Sequence, residues 1–321
     1  MLLPHIILIF ASRIHRIVID ALGVKQVAAV IGPSIGGMHA LEWSYYGLNF
    51  VRSVVTISTS SKHSPYFVSW SEVTRQMIFM DPKFERGFYS VENPPVKGLA
   101  LSFMLVILQG RTPASFDSWG RSGCRGSNLF MTETEDSAWY HNNEGHGWLV
   151  DATKTDSLTT PKGGRTQQST KNTVGRNKKT EPQVMLEDFI RRFAERFSRE
   201  FDANCMVSLL RKLDTHDISR NRVSSSVRDP LKRIKIALGM IQQPALVVGV
   251  PGDMLFPYAE QLEQADGIPN CRLVTVETKA GHEMFLQEAK ALNRIVYKFL
   301  SEIPGDVSTS NSGIEGIISK L

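Results

Sequence analysis

Cysteine is scarce in this 321-residue chain: Cys124, Cys205 and Cys271 stand far apart, and a total of three is odd. That usage supplies neither a disulfide framework nor the paired ligands of a zinc site, and it suits a reducing, cytoplasmic compartment. Long apolar runs are also missing. None approaches the ~20 residues that a membrane-spanning helix needs, so no membrane partner is expected. The oily start, Met1–Phe10, has no basic region ahead of it and is interrupted by Pro4 and His5. It reads as a helical, strand-like or alternative-start remnant and not as a signal peptide.

Between Ser157 and Thr180 there is no acidic and no aromatic residue, yet Lys162, Arg165, Lys171, Arg176, Lys178 and Lys179 all fall there. These cations outnumber the whole net charge of +5, so the rest of the chain is close to neutral. Without rings to stack on bases, a basic stretch rich in Gly, Ser, Thr and Asn reads as a solvated linker. No nucleic-acid partner is expected.

What is present is apolar residues, 42% of the chain, enough for one large core and a subsidiary region. SRIHRIVIDALGV sets Ile14, Ile17, Val18 and Leu22 at helical spacing before Gly23. VAAVIG (Val27–Gly32) is a short apolar run expected of a strand covered on both faces. GMHALEWSYYG then reads as a helix, and VRSVVTIST as the next buried strand. Strand, tight turn, helix and strand make a βαβ unit, hence a parallel sheet. Residues 61–240 lack buried-strand runs and read as a mainly helical insertion, with a flexible linker at about 122–180 and a helix over Val184–Phe201. From Pro244 the alternation resumes: PALVVGV and CRLVTVE are strands, and EMFLQEAKALNRIVYKFL is one amphipathic helix. The expected organisation is a core formed by residues 1–60 and 241–303, an insertion over 61–240 and a flexible tail at 304–321. There is no internal repeat.

Gly32-Pro33-Ser34-Ile35-Gly36 matches G-x-S-x-G between a predicted strand and a predicted helix. In so tight a turn the serine backbone is strained and the flanking positions should not tolerate side chains. The turn lifts the Ser34 hydroxyl to the positive end of the following helix, with the Ile35 N–H aimed at a developing oxyanion. A serine nucleophile needs a base, and the base needs an orienting carboxylate. Asp253 follows PALVVGV and His282 follows CRLVTVE, in the order serine, acid, histidine that this architecture uses. His39, His63, His141 and His146 fit less well: His39 lies inside the predicted helix after the turn, His63 opens the insertion, and His141 and His146 fall in the expected flexible linker. Asp214-Thr215-His216-Asp217 has metal-ligand residue types. Ligands so close along the chain rarely converge alone, so a hydrogen-bonded turn or helix cap is expected there, and no metal.

These residues, with GPSIGGMHALEW, DPKF, PPVKGLA, FDANC, DTHDISR, QPALVVG, GDMLFP and GHEMF, resemble the homoserine O-acetyltransferase family, above all its fungal members. The resemblance runs from about Arg13 to Arg121 and from about Val184 to Leu300. It implies an α/β-hydrolase fold: a mostly parallel sheet with a helical cap insertion. It also implies transfer of acetyl from acetyl-CoA to the hydroxyl of L-homoserine, a step of methionine biosynthesis, through an acetyl-serine intermediate on Ser34. His282 would accept and return the proton, Asp253 would stabilise the imidazolium, and no cofactor would be bound. A deacetylcephalosporin C acetyltransferase is a close relative, so another hydroxyl acceptor, or water in an esterase, stays open. Relatives commonly dimerise through the cap, which makes a homodimer the expected assembly.

The chain departs from the family pattern in two regions. The resemblance puts Phe103 where the family has an arginine for the acceptor carboxylate, and Gly110 where it has a tyrosine. Losing a charged partner in a dehydrated pocket costs roughly 2–5 kcal/mol of binding; Arg75 and Arg111 are the cations that could replace it. Glu283 stands where the family has the aspartate that helps hold the acceptor amine. The family's first strands, and the loop that gives the second oxyanion donor, have no counterpart ahead of Arg13. The resemblance therefore implies a chain truncated at its N-terminus, with the Val27–Gly32 strand as an exposed edge. One oxyanion donor is worth roughly 10²–10³ in turnover, so a catalytically impaired paralogue is the third expectation.

Overall fold

The computed structural model describes residues 8–122 and 182–303. The expected linker, apart from Ser122, and the expected tail lie outside these residues. The described residues fall into two units, one within Met1–Phe116 and Ala194–Leu321 and the other within Asp117–Phe193. The candidate site belongs to the first.

Four strands form one sheet in chain order: β1 (Val30–Pro33), β2 (Val54–Ile57), β3 (Ala245–Gly249) and β4 (Cys271–Thr275). All three pairings are parallel, in a register that aligns Val30 with Val54, Val54 with Ala245 and Ala245 with Cys271. Every residue of β2 and β3 is buried, as a parallel strand covered on both faces must be. Alternation divides them between two layers. Val55, Ile57, Leu246 and Val248 pack with Met284, Leu292 and Phe299. Val54 and Ala245 pack in the clusters that hold α2 (Ile35–Ser44) and α8 (Pro230–Gly239). On the same side Thr56 Oγ1 donates to Gln264 Oε1, at 2.5 Å, on α9 (Tyr258–Gly267). The expected strand at Val27–Gly32 begins later, and Val27 makes only an isolated bridge to Val51.

Among the described residues between β2 and β3 there is no strand. Helices α3 (Pro65–Phe79), α4 (Val96–Gln109), α5 (Pro113–Ser122), α6 (Pro182–Glu200), α7 (Ala203–Asp214) and α8 follow one another. Their starts are written in the sequence. Ser64, Asp202 and Asp229 each accept a backbone N–H of the first turn, and Pro65 and Pro230 occupy first helical positions. Ile78, Phe84, Leu99, Met206 and Leu210 form an apolar cluster separate from the sheet layers. Gly98 lets α4 lie against α3, since a Cβ there would sit 2.6 Å from the Met77 carbonyl oxygen.

Two expectations need correction. The final helix is broken at Glu288 into α10 (Met284–Gln287) and α11 (Ala289–Ser301). Glu288 leaves the helical region (φ −108°, ψ 30°), and its carboxylate accepts from Thr278 at 3.3 Å. The first helix, α1 (Leu8–Ala21), begins inside the oily start and buries a different face from the one its periodicity suggested. Leu8 and Ser12 are buried, while Ile14, Ile17, Val18 and Leu22 are each more than half exposed among the described residues. The buried face lies against α2: Leu8 packs with Met38, Ser12 meets His39 Nδ1 at 3.2 Å, and His15 lies beside the His39 ring.

Candidate active site

The register brings the carboxyl ends of β1, β3 and β4 to one edge of the sheet, and each is followed by one of the three expected residues. Ser34 sits between β1 and α2 with φ 54° and ψ −128°, a conformation costly for a residue with a Cβ. Hydrogen bonds on both sides hold it there. Its N–H donates to the Ile57 carbonyl at 2.9 Å, and its own carbonyl accepts from Gly37 N at 2.9 Å and Thr59 Oγ1 at 2.7 Å. Ile35 is the first residue of α2, where the backbone N–H has no carbonyl one turn back within the helix. That N–H is available to an oxyanion.

The glycines around Ser34 are not equivalent. A Cβ on Gly32 would lie 2.0 Å from the Gly36 carbonyl oxygen, and one on Gly37 would lie 2.4 Å from Thr59 Cγ2. Gly36 has room, its nearest neighbour being Pro33 Cδ at 3.4 Å. The expectation that both flanking positions exclude side chains therefore holds for Gly32 and fails for Gly36; the second forbidden position is Gly37. Gly32→Ala is expected to cost about 3 kcal/mol or more through backbone collision. Gly36→Ala, relieving a flexible residue at a helix start, should be neutral or stabilising by up to ~1 kcal/mol. Thermal unfolding of the two variants checks this, and equal losses would refute the distinction.

Asp253 and His282 converge on Ser34. His282 Nε2 lies 2.9 Å from Ser34 Oγ, and His282 Nδ1 lies 2.9 Å from Asp253 Oδ2. The Asp253 carboxylate is fully buried, and its other oxygen accepts from Leu255 N at 2.8 Å and Phe256 N at 2.9 Å. With the backbone holding one oxygen, the other is fixed toward the imidazole. His282 lies in a short helical turn, Gly281–Glu283, whose Gly281 has φ 65°. The rings of Phe256 and Phe285 flank the imidazole. A proton can pass from Ser34 Oγ to His282 while Asp253 stabilises the cation.

Beside His282, the Glu283 N–H donates to the Gly110 carbonyl at 3.2 Å, and the Glu283 carboxylate meets Arg111 at 2.5 Å. Burial pulls the Arg111 guanidinium below its ordinary value, against the pull of Glu283. A side chain at Gly110 would meet Glu283, whose Oε1 lies 3.5 Å from a Cβ built there. Phe103, by contrast, stacks on Phe197 with centroids 3.6 Å apart and belongs to the apolar cluster of α3, α4 and α7. Arg75 is committed elsewhere, to Glu72 at 2.7 Å and to Asp214.

The Asp214–Asp217 segment is the capped end of α7: Asp214 is its last residue and Thr215 its C-cap. Asp217 accepts from Ser219 N at 2.9 Å and faces Lys62, while Asp214 pairs with Arg75. Among the described residues no group of three or more His, Cys, Asp or Glu is arranged to hold a metal, and no helix is long and apolar enough to cross a membrane. His63 is closer to the site than its place in the sequence suggested: its ring touches Phe256, the neighbour of His282. Residues with no sequence signal also serve the site. Thr112 donates to the Lys279 carbonyl of the histidine loop, and Gln261 packs behind Asp253. Glu260 is pushed up to about 7 by burial and, to a lesser degree, by the nearby charges of Glu263 and Asp253.

Residues 6–289 match the model of the alpha/beta hydrolase fold family. The chain is 37% identical to a homoserine O-acetyltransferase of Emericella nidulans, over 95% of this chain and 67% of that protein. Among solved structures, it resembles homoserine O-acetyltransferase from Bacillus anthracis (TM-score 0.67, 18% identity, 94% of this chain and 67% of that one). An acetylester hydrolase from Corynebacterium glutamicum is equally similar in fold (TM-score 0.66, 18% identity, 94% and 68%). The chain spans about two thirds of the length of the curated relatives it matches.

Proposed function

Because the chain belongs to the homoserine O-acetyltransferase family of the alpha/beta hydrolase fold, we propose that it transfers acetyl from acetyl-CoA to the hydroxyl of L-homoserine, with Ser34, His282 and Asp253 as its catalytic triad. The unbroken hydrogen-bond relay from Ser34 through His282 to Asp253 carries this reading. Ser34 Oγ attacks the thioester carbonyl as His282 Nε2 takes its proton, and the Ile35 N–H stabilises the tetrahedral oxyanion. Collapse breaks the C–S bond, and His282 returns the proton to the departing thiolate, leaving acetyl-Ser34 and CoA. The acceptor hydroxyl then gives its proton to His282 and attacks the acetyl carbonyl. The second collapse releases the O-acetyl product and restores the Ser34 hydroxyl. No bound cofactor is needed, since the thioester supplies the activated acyl group.

The acceptor reading rests on opposite charges beside the histidine. An amino-acid acceptor carries an ammonium and a carboxylate, and Glu283 and Arg111 offer one partner for each. Gly110 places no side chain of its own next to Glu283. Phe103 packs in the apolar cluster of α3, α4 and α7 and offers the acceptor no charge.

Incubating the protein with acetyl-CoA is expected to label Ser34 and release one CoA per active site. Adding L-homoserine should discharge the label as O-acetylhomoserine. No labelling at all would remove the enzyme reading. Labelling that decays only to acetate would make water the acceptor, and discharge by a different alcohol would overturn homoserine alone.

A further inference from the structure

Asp253 lies in a loop that leaves β3 at Val250 and enters α9 after Phe256. Such a loop is held at its ends by the strand and the helix, and its middle is free to shift unless something crosses it. Gln261, in the first turn of α9, crosses it. Its side chain is completely buried. Its amide oxygen accepts from Val250 N at 2.9 Å, and its amide nitrogen donates to the Phe256 carbonyl at 2.6 Å. The same nitrogen lies 3.4 Å from Asp253 Oδ2, the oxygen that faces His282. One side chain thus joins both ends of the acid loop and touches the reactive face of the carboxylate. Gly249 permits this approach: a Cβ there would lie 2.7 Å from the Tyr258 ring and 3.4 Å from the Gln261 amide oxygen.

We infer that Gln261 is a positioning residue for the catalytic acid, a role that rests on the triad reading above. Its two loop-closing hydrogen bonds fix where Asp253 stands, and the longer contact to Oδ2 limits how the carboxylate can turn. The distances rank these contributions: bonds of 2.6 and 2.9 Å are strong, whereas 3.4 Å is at the edge of hydrogen bonding. Loop position is therefore the main effect, and it reaches the chemistry through the 2.9 Å His282–Asp253 contact. A displacement of ~1 Å in such a relay costs about 10²-fold in rate. Gln264, one turn along the same helix and equally buried, is a natural control. It accepts from Thr56 in β2, and among the described residues its side chain makes no hydrogen bond to the acid loop.

The test compares Gln261→Met, which keeps length and volume but removes both polar ends, with Gln264→Met. Rapid-mixing acylation of Ser34 by acetyl-CoA gives a rate constant and a half-saturating concentration for each full-length variant. Gln261→Met is expected to lower the rate constant by about 10–100-fold with less than a threefold change in half-saturation. The downfield imidazole N–H resonance of the His282–Asp253 hydrogen bond should broaden or disappear. Gln264→Met should fold less stably, yet keep that resonance and the wild-type acylation rate. If Gln261→Met does not fold, Gln261→Glu takes its place; it keeps the acceptor for Val250 N and is expected to show the same loss of rate and resonance. A rate within threefold of wild type in the folded variant, or equal losses at both glutamines, overturns the inference. Wild-type protein that never acylates overturns the triad reading instead, so the two failures are distinct.

Discussion

Ser34→Ala is expected to end covalent capture of acetyl from acetyl-CoA and to lower acyl transfer by on the order of 10⁶-fold, because nucleophile and base act as one unit. Asp253→Asn should cost less, about 10⁴-fold, and for a reason visible in the geometry. Asp253 Oδ1 accepts two backbone N–H groups, from Leu255 and Phe256, and an asparagine oxygen can accept the same pair. Its NH₂ group then faces His282 Nδ1 and donates to it. The imidazole proton is forced onto Nε2, which faces Ser34 at 2.9 Å and can no longer act as a base. The fold survives and the tautomer is wrong. Acetyl-CoA turnover by the two variants, with circular dichroism to confirm folding, checks the ranking. An Asp253→Asn enzyme as active as wild type would remove Asp253 from the mechanism, and labelling of Ser34→Ala protein would remove the nucleophile.

Much of this site could be read from the sequence because each part has a local cause. G-x-S-x-G announces itself through glycines that the turn requires, and Asp253 and His282 follow runs whose apolar content marks them as strands. What escaped was decided by contacts distant in sequence. Gly37 rather than Gly36 is the second forbidden position because Thr59, reached through β2, packs on it. Arg111 meets Glu283 across 172 positions because α4 is capped by Gly110, whose carbonyl receives the Glu283 N–H. Periodicity marked Ile14, Ile17, Val18 and Leu22 as the apolar face of α1, yet Leu8 and Ser12 are buried instead. A helix apolar on more than one side does not declare by spacing alone which side a neighbour covers. Gln261 carries no pattern at all: a glutamine in the first turn of a helix is usually a solvated residue, and only the fold turns it inward.

The remaining large effect concerns stability and comes from histidines the chemistry does not use. Burial pulls His216 down to about 3 and His63 to about 4, with the same direction and value for the less buried His39. The three are neutral in the folded protein below the pH at which they charge in the unfolded chain, near 6.5. As pH falls from 6.5 toward 4, the unfolded state therefore binds protons that the folded state refuses, and stability drops. Above 6.5 this contribution is fully present; below the folded values it is fully lost. Glu260 opposes it. Its folded value is raised to about 7, so between its unfolded value near 4.5 and 7 the folded state holds an extra proton, and that gain fades as pH rises through the window. Two well-buried histidines, a discounted third and one opposing carboxyl leave a net uptake of one to two protons, a slope of roughly 1.4–3 kcal/mol per pH unit. Against a typical total of about 5–15 kcal/mol, that slope should bring the chain near unfolding by about pH 4. Urea unfolding between pH 7.5 and 4 measures it directly. His216→Gln, which cannot titrate, should flatten the slope by about one proton, ~1.4 kcal/mol per unit. An unchanged slope in that variant would mean that His216 is not the neutral, buried base its surroundings make it.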